Sequence, residues 1–199
     1  MNYFVTGIDT DSGKTLVSAI LCAATGFDYW KPVQAGFPKD SDTIKSLLPE
    51  TVVHPEQYVL KTPASPHAAA KIDGVNITLA SFLLPKKDGL VVEGAGGCLV
   101  PLNDTDFVVD LFPQLHAEII LVADLYLGSI NHTLLSAHLL KTRGYRVKGI
   151  IFNGPSNPES ERIILQHTNY KCLLRIDREK EVSAATVKKY SEQLRTSLT

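Results

Sequence analysis

Gly7-Ile8-Asp9-Thr10-Asp11-Ser12-Gly13-Lys14-Thr15 decides how this chain is read. The apolar run Tyr3-Phe4-Val5-Thr6 precedes it, and the helix-like run Leu16-Val17-Ser18-Ala19-Ile20-Leu21 follows. Strand, glycine-bearing turn and helix, in that order, form the setting that a phosphate-binding loop needs. The first N–H groups of a helix lack intrahelical partners, and the helix dipole draws negative charge to that end. Gly13 lets backbone come close to a phosphate. Lys14 supplies a positive charge to the outer phosphates, and the Thr15 hydroxyl suits a magnesium ion. An ordinary helix start needs no Gly-Lys-Thr triplet at this point. The loop is one residue longer than generic GxxxxGK[ST] spacing, which would put the first glycine at Ile8 rather than Gly7.

Outward from the loop, apolar runs alternate with helix-like segments, the pattern of βαβ units in a parallel sheet. Strands are expected over residues 3–6, 29–33, 90–93, 119–123, 147–153 and 172–176. Several are continuous apolar runs, as strands covered on both faces should be. Helices are expected over 14–24, 42–48, 77–84, 130–142, 158–167 and 182–194, with Asn157-Pro158 as an N-cap and a first-turn proline. Residues 51–73, rich in proline, alanine and histidine, read as a long loop with one short helix. The fold class is α/β: a single phosphate-loop domain over residues 1–199, with a doubly wound, mostly parallel sheet.

Composition bounds the partners. The 199 residues carry a formal net charge of -1, with 44% hydrophobic and 21% charged residues. Nothing in that balance suggests nucleic acid or a membrane surface. No apolar run reaches bilayer-spanning length, and the N-terminus lacks a basic segment followed by an apolar stretch. Cys22, Cys98 and Cys172 are an odd set without CxxC spacing, so a reducing cytoplasm is the expected location.

Ligands of open α/β sheets bind at the carboxyl ends of strands. Four strand exits should therefore share one crevice: the phosphate loop, Trp30-Lys31-Pro32-Val33-Gln34-Ala35-Gly36, Val92-Glu93-Gly94-Ala95-Gly96-Gly97 and Phe152-Asn153-Gly154. An acid at the end of an apolar strand beside a phosphate loop, here Glu93, commonly holds the nucleotide's magnesium. Asp42 is a second carboxylate for that role, although a helix N-cap explains it as well. Asp11 lies within the loop, where it can approach the metal or a substrate amine or simply face solvent. Pro32 keeps the preceding backbone extended, which makes Lys31 project from a fixed strand end. A lysine there can neutralise a phosphoryl group in transfer or lie along the surface.

Taken together, these stretches resemble the dethiobiotin synthetase family. The matches run from residues 4–15 through Lys31-Pro32-Val33, Ser41-Asp42, Ser65-Pro66-His67 and 92–97 to Pro101-Leu102 and Leu127-Gly128-Ser129-Ile130-Asn131-His132. They cover about the first three-quarters of the chain, and the longer phosphate loop is the form this family uses. The resemblance implies ATP-dependent closure of a ureido ring from 7,8-diaminononanoate and carbon dioxide, with Mg2+ as cofactor and ATP as co-substrate. One amine captures carbon dioxide as a carbamate, whose oxygen attacks the γ-phosphate to give a carbamic–phosphoric anhydride. The second amine then displaces phosphate.

By the same resemblance, Lys14, Lys31 and Thr10 act on the carbamate and phosphoryl group. Thr15, Asp42 and Glu93 organise magnesium. Asp11, Ser12, Gly13, Lys14, Thr15 and Leu16 wrap the phosphates. Gly94, Ala95 and Gly96 border nucleotide and substrate, and Asn153 contacts adenine. The family is homodimeric, and Gly128, Ser129 and Asn131 would serve the substrate of the neighbouring subunit. His67 is expected to brace a loop rather than catalyse. Ala35 stands in the substrate turn where relatives often carry Ser or Thr. The family's late Pro-Leu-Gly-type turn is missing around Tyr170-Lys171-Cys172-Leu173-Leu174-Arg175-Ile176-Asp177, so loose discrimination among nucleoside triphosphates is expected.

Two rival readings fit less well. Amide-forming relatives from cobalamin synthesis usually append a glutaminase domain, for which this chain has no room. ATP switches of chromosome partition or septum positioning carry a lysine where Asp9 stands.

Overall fold

The computed structural model describes residues 1–87 and 89–198. β1 (Asn2–Gly7) is buried throughout, and its side chains alternate between two cores. Tyr3 and Val5 face one core and Phe4 the other, the period of two expected of a strand covered on both sides. α1 (Lys14–Thr25) packs Val17, Ile20 and Leu21 into the first core. It stops at Gly26, whose left-handed backbone returns its N–H to the Cys22 carbonyl.

The expected strand 29–33 breaks in two. β2 (Asp28–Trp30) stays in the main sheet, and β3 (Val33–Ala35) leaves it. Pro32 has no N–H to give to a ladder, and the chain turns out at Lys31-Pro32. α2 (Asp40–Leu47) follows. The stretch 51–73 carries more structure than a loop with one helix: β4 (Val53–His54), β5 (Tyr58–Leu60) and α3 (Pro66–Asp73). β3 and β5 pair in parallel as a small separate sheet.

The helix expected over 77–84 is a single 3-10 turn, Leu79–Ser81. Pro85 disfavours helical backbone at Leu84, and only Ile77 and Phe82 of this stretch reach the second core as fully buried residues. β6 (Leu90–Gly97) runs past Glu93 through the glycines. A 3-10 turn over Val108–Leu111 and α4 (Phe112–Leu115) then cover the second core. β7 (Ala117–Asp124), α5 (Ser129–Thr142), β8 (Val147–Asn153), α6 (Pro158–Thr168), β9 (Cys172–Ile176) and α7 (Ala184–Leu198) complete the chain. Asn157 caps α6 by accepting from the Ser160 N–H at 3.1 Å.

Among the described residues the main sheet has seven strands, ordered β4-β2-β6-β1-β7-β8-β9, all parallel. β1 sits between β6 and β7. The chain winds first to one side of it and later to the other, which makes its carboxyl end the natural place for a ligand.

Candidate active site

At that end the phosphate loop is built mainly from its own backbone. The Ser12 hydroxyl donates to the Asp9 carbonyl at 3.0 Å. Lys14 is buried and folds back over the loop, its Nζ donating to the carbonyls of Asp9 at 2.9 Å and Thr10 at 2.7 Å. Asn153, at the end of β8, donates its side-chain amide to the Ser12 carbonyl at 3.0 Å. Gly13 has φ of 89°, which favours glycine, and a Cβ there would lie 2.2 Å from Asn153 Nδ2, so any other residue would strain the loop and displace that amide. Burial pushes the Lys14 ammonium down to about 8; the charge of Lys31 adds to the fall, and Glu93 and other acids offset part of it.

The exits of β2 and β6 make a second cluster. Lys31 is buried, with its Nζ 2.5 Å from Asp40 Oδ2, 3.0 Å from Glu93 Oε1 and 3.3 Å from the Gly94 carbonyl. Burial alone would lower its pKa; the two carboxylates outweigh burial and raise it above the ordinary lysine value. Glu93 is 1% exposed and accepts from three groups. The Thr15 hydroxyl and Lys31 reach Oε1 at 3.0 Å, and the Tyr29 hydroxyl reaches Oε2 at 2.9 Å. Burial, with Glu93's charge, holds the Tyr29 phenol well above its usual range, so it acts as a donor.

These clusters open on one cleft of about 680 Å³, within the range of small-molecule sites. Thr10, Asp11, Gly13, Lys14, Thr15, Lys31, Glu93, Ala95 and Gly96 line it. Val33, Ala35, Phe37, Pro63 and Pro66 also line it and give it an apolar part. The cleft thus combines hydroxyls and side chains of both charges with apolar surface.

Several expected site residues fall elsewhere. Asp42 is exposed and outside the cleft lining, whereas Asp40 lines it and holds Lys31. α2 begins at Asp40 and buries Ser41, Ile44 and Leu47, and two residues along a helix is more than half a turn, so Asp42 points away. Leu16 packs against the first core rather than lining the cleft. Gly94 contributes its carbonyl, to Lys31. Asn153 turns its amide to the phosphate loop. Gly128 and Asn131 are exposed and Ser129 is buried, all at the start of α5 and outside this cleft's lining. Leu127 beside them is fully exposed. His67 lies 3.1 Å from the Ser65 hydroxyl through Nδ1, while its backbone N–H bonds the Pro101 carbonyl. Cys98 is buried 3.6 Å from the Thr6 hydroxyl, and burial raises its thiol pKa. Asp40 and Tyr29 were not singled out from sequence. Position 40 at the helix start was the available signal for the first; nothing local marks the second.

The donor set suits a hard cation. Thr15 and Glu93 present oxygen within hydrogen-bond distance of each other, and Asp40 reaches the same lysine as Glu93. Among the described residues no cluster of three His, Cys, Asp or Glu side chains could hold a metal by itself. Mg2+ is usually held by one or two carboxylates together with water and substrate phosphates, and Glu93 and Asp40 are two such carboxylates.

A family model described as "AAA domain" matches residues 1–186. The chain is 59% identical to the ATP-dependent dethiobiotin synthetase BioD of Cytophaga hutchinsonii, over 96% of each protein. It is 44% identical to the enzyme of the same name from Christiangramia forsetii, over 99% of this chain and 97% of the relative. Among solved structures, a ParA family ATPase from Chlorobium tepidum TLS superposes with a TM-score of 0.58 at 16% identity, covering 99% of this chain and 96% of that one. The septum site-determining protein MinD complexed with Mg-ADP from Pyrococcus horikoshii OT3 gives 0.56 at 12% identity, covering 100% and 93%. At such identities these two show the shared phosphate-loop ATPase fold and nothing more.

Proposed function

The chain belongs to the dethiobiotin synthetase family, and from that premise we propose how its cleft carries out ATP-dependent ring closure on 7,8-diaminononanoate. The enzyme is a ligase. The observation that carries the reading is the meeting of Lys14 and Lys31, delivered by different strand exits, in one cleft with Thr15 and Glu93.

One amine of the substrate adds to carbon dioxide, and the resulting carbamate lies between the two ammonium groups near Thr10. The carbamate oxygen attacks the γ-phosphorus and ADP leaves, giving the carbamic–phosphoric anhydride. The second amine attacks the carbamoyl carbon, phosphate departs, and the ureido ring closes. No covalent bond to the protein is needed, so catalysis rests on placement and charge. Lys14 exchanges its loop carbonyls for phosphate oxygens. Lys31 lies along the path of the transferred phosphoryl group. Thr15, Glu93 and, in place of Asp42, Asp40 are the side chains that would hold Mg2+, which when bound spreads the charge of the outer phosphates. Backbone N–H groups of residues 11–16 face the phosphates, so Leu16 serves through its main chain. Ala35 and the proline-rich wall take the alkyl chain. Gly128, Ser129 and Asn131, away from this cleft in a single chain, would meet the substrate carboxylate of a second copy in a homodimer.

The direct test incubates the protein with diaminononanoate, bicarbonate and MgATP and reads the product by mass. Dethiobiotin is the expected product, and its absence overturns the assignment. Repeated with GTP and CTP, the assay should show discrimination far short of the ~10⁴-fold reached by sites that hydrogen-bond a substrate group they require. Asn153 gives one amide N–H to the phosphate loop, and the β9 exit brings Asp177, whose N–H goes to the Tyr190 hydroxyl at 3.1 Å. A strong preference for ATP would show that the base is read by other groups.

A further inference from the structure

Tyr29 is a buried titratable residue that the proposed chemistry does not use. It lies in β2 opposite Val91 of β6, is 0% exposed, and its ring is part of the first core. Its hydroxyl reaches Glu93 Oε2 from within the protein, at 2.9 Å. The other carboxylate oxygen, Oε1, meets Thr15 and Lys31, both of which line the cleft; Tyr29 does not. The two oxygens of one carboxylate are thus assigned to different sides, one to the protein interior and one to the ligand.

We propose that Tyr29 is a positioning residue that confines Glu93 to offering one oxygen to the divalent cation, and so biases the site toward Mg2+ over Ca2+. The inference rests on the reading of Glu93 as a metal-side carboxylate. Mg2+ requires near-octahedral geometry with short bonds, which a single carboxylate oxygen satisfies. Ca2+ is larger and accepts both oxygens of one carboxylate. A donor held on Oε2 competes with the two-oxygen mode and favours the rotamer that presents Oε1. Partners of this kind, one bond removed from the metal, commonly set affinity by about 10- to 100-fold.

Tyr29→Phe removes the hydroxyl and keeps the ring, which leaves core packing in place. With the full chain saturated with ADP, Mg2+ and Ca2+ are titrated separately by calorimetry. The expected result is that the variant's preference for Mg2+ over Ca2+ falls by about tenfold. An unchanged ratio, including equal weakening for both ions, overturns the proposal, because a purely structural role would move both alike. If the variant does not fold, infrared difference spectra of 13C-Glu-labelled wild type, referenced to Glu93→Gln, decide the matter. Mg2+ should widen the separation of the Glu93 carboxylate stretches, as one-oxygen binding does; a narrowed separation overturns the proposal. Glu93→Gln also separates the two levels. If it binds Mg2+ as well as wild type does, the metal reading itself fails and the role of Tyr29 falls with it. If it loses the ion while Tyr29→Phe keeps the wild-type ratio, only the role of Tyr29 is refuted.

Discussion

The phosphate loop and the exit of β2 each deliver a buried lysine to the same cleft, and they hold it by opposite means. Lys14 lies on two neutral carbonyls of its own loop. Lys31 lies between two carboxylates from different elements. The first arrangement leaves an ammonium poorly compensated for lost water, and its pKa falls to about 8. The second compensates it fully, and the pKa rises. A cation resting on carbonyls leaves them readily for a phosphate. A cation clamped by carboxylates also keeps those carboxylates folded in place. On the proposed function, one lysine is therefore primed for ligand at the expense of the fold's stability, while the other belongs to the structure of the site as much as to its chemistry.

Replacing each lysine by methionine should separate the two cases. The largest effect is expected at Lys31→Met, where turnover should drop by about 10³-fold. Unfolding free energy should drop by about 3 kcal/mol, since Glu93 is left buried without its cation. Rate loss with unchanged stability would show that the clamp contributes nothing to the fold.

Lys14→Met should reduce ADP affinity by about 100-fold, measured by calorimetry, but should raise the melting temperature of the ligand-free protein. The sign follows from linkage. The folded pKa of about 8 lies below the ordinary value of 10.5, so the folded chain binds this proton less well than the unfolded chain does. Stability from this group is present above pH 10.5 and lost as pH falls through 8; methionine removes that loss. Wild-type ADP affinity should correspondingly decline as pH rises past about 8, and should hold steady below it. A melting temperature that falls in Lys14→Met would erase the contrast.

The smallest expected effect sharpens the clamp. Asp40→Asn should raise the Mg2+ concentration needed for half-maximal turnover by about tenfold, and Asp42→Asn should leave it nearly unchanged. The opposite ranking would return the metal-side role to Asp42.

Much of the fold was legible in sequence because its strands are short, apolar and bounded by polar residues. β8 and β9 have the expected limits, and the phosphate loop lies where Gly-Lys-Thr required. The misses have physical causes. Periodicity cannot show that Pro32 sends an apolar run into a second sheet, because that depends on which strand is available to pair with it. Of the two acids flanking Ser41 the sequence singles out Asp42; that Asp40 is the one lining the cleft is visible only once the helix start and buried face are known. The Tyr29–Glu93 contact joins residues 64 apart along the chain, and no local pattern announces such a pair. The short strands β4 and β5 within 51–73 are held by pairing with β2 and β3, partners that sequence spacing alone does not identify.

The small β3–β5 sheet has a further consequence. The cleft's charged floor is anchored in the main sheet, while its hydrocarbon side hangs on a separate pair of strands and the start of α3. The two parts meet at Gln34 of β3, whose Oε1 accepts from the Asp40 N–H at 3.1 Å. On the proposed function, changes at Val33, Ala35, Phe37 or Pro63 would leave that contact in place, which recommends them as the starting point for redesigning which diamine the cleft takes.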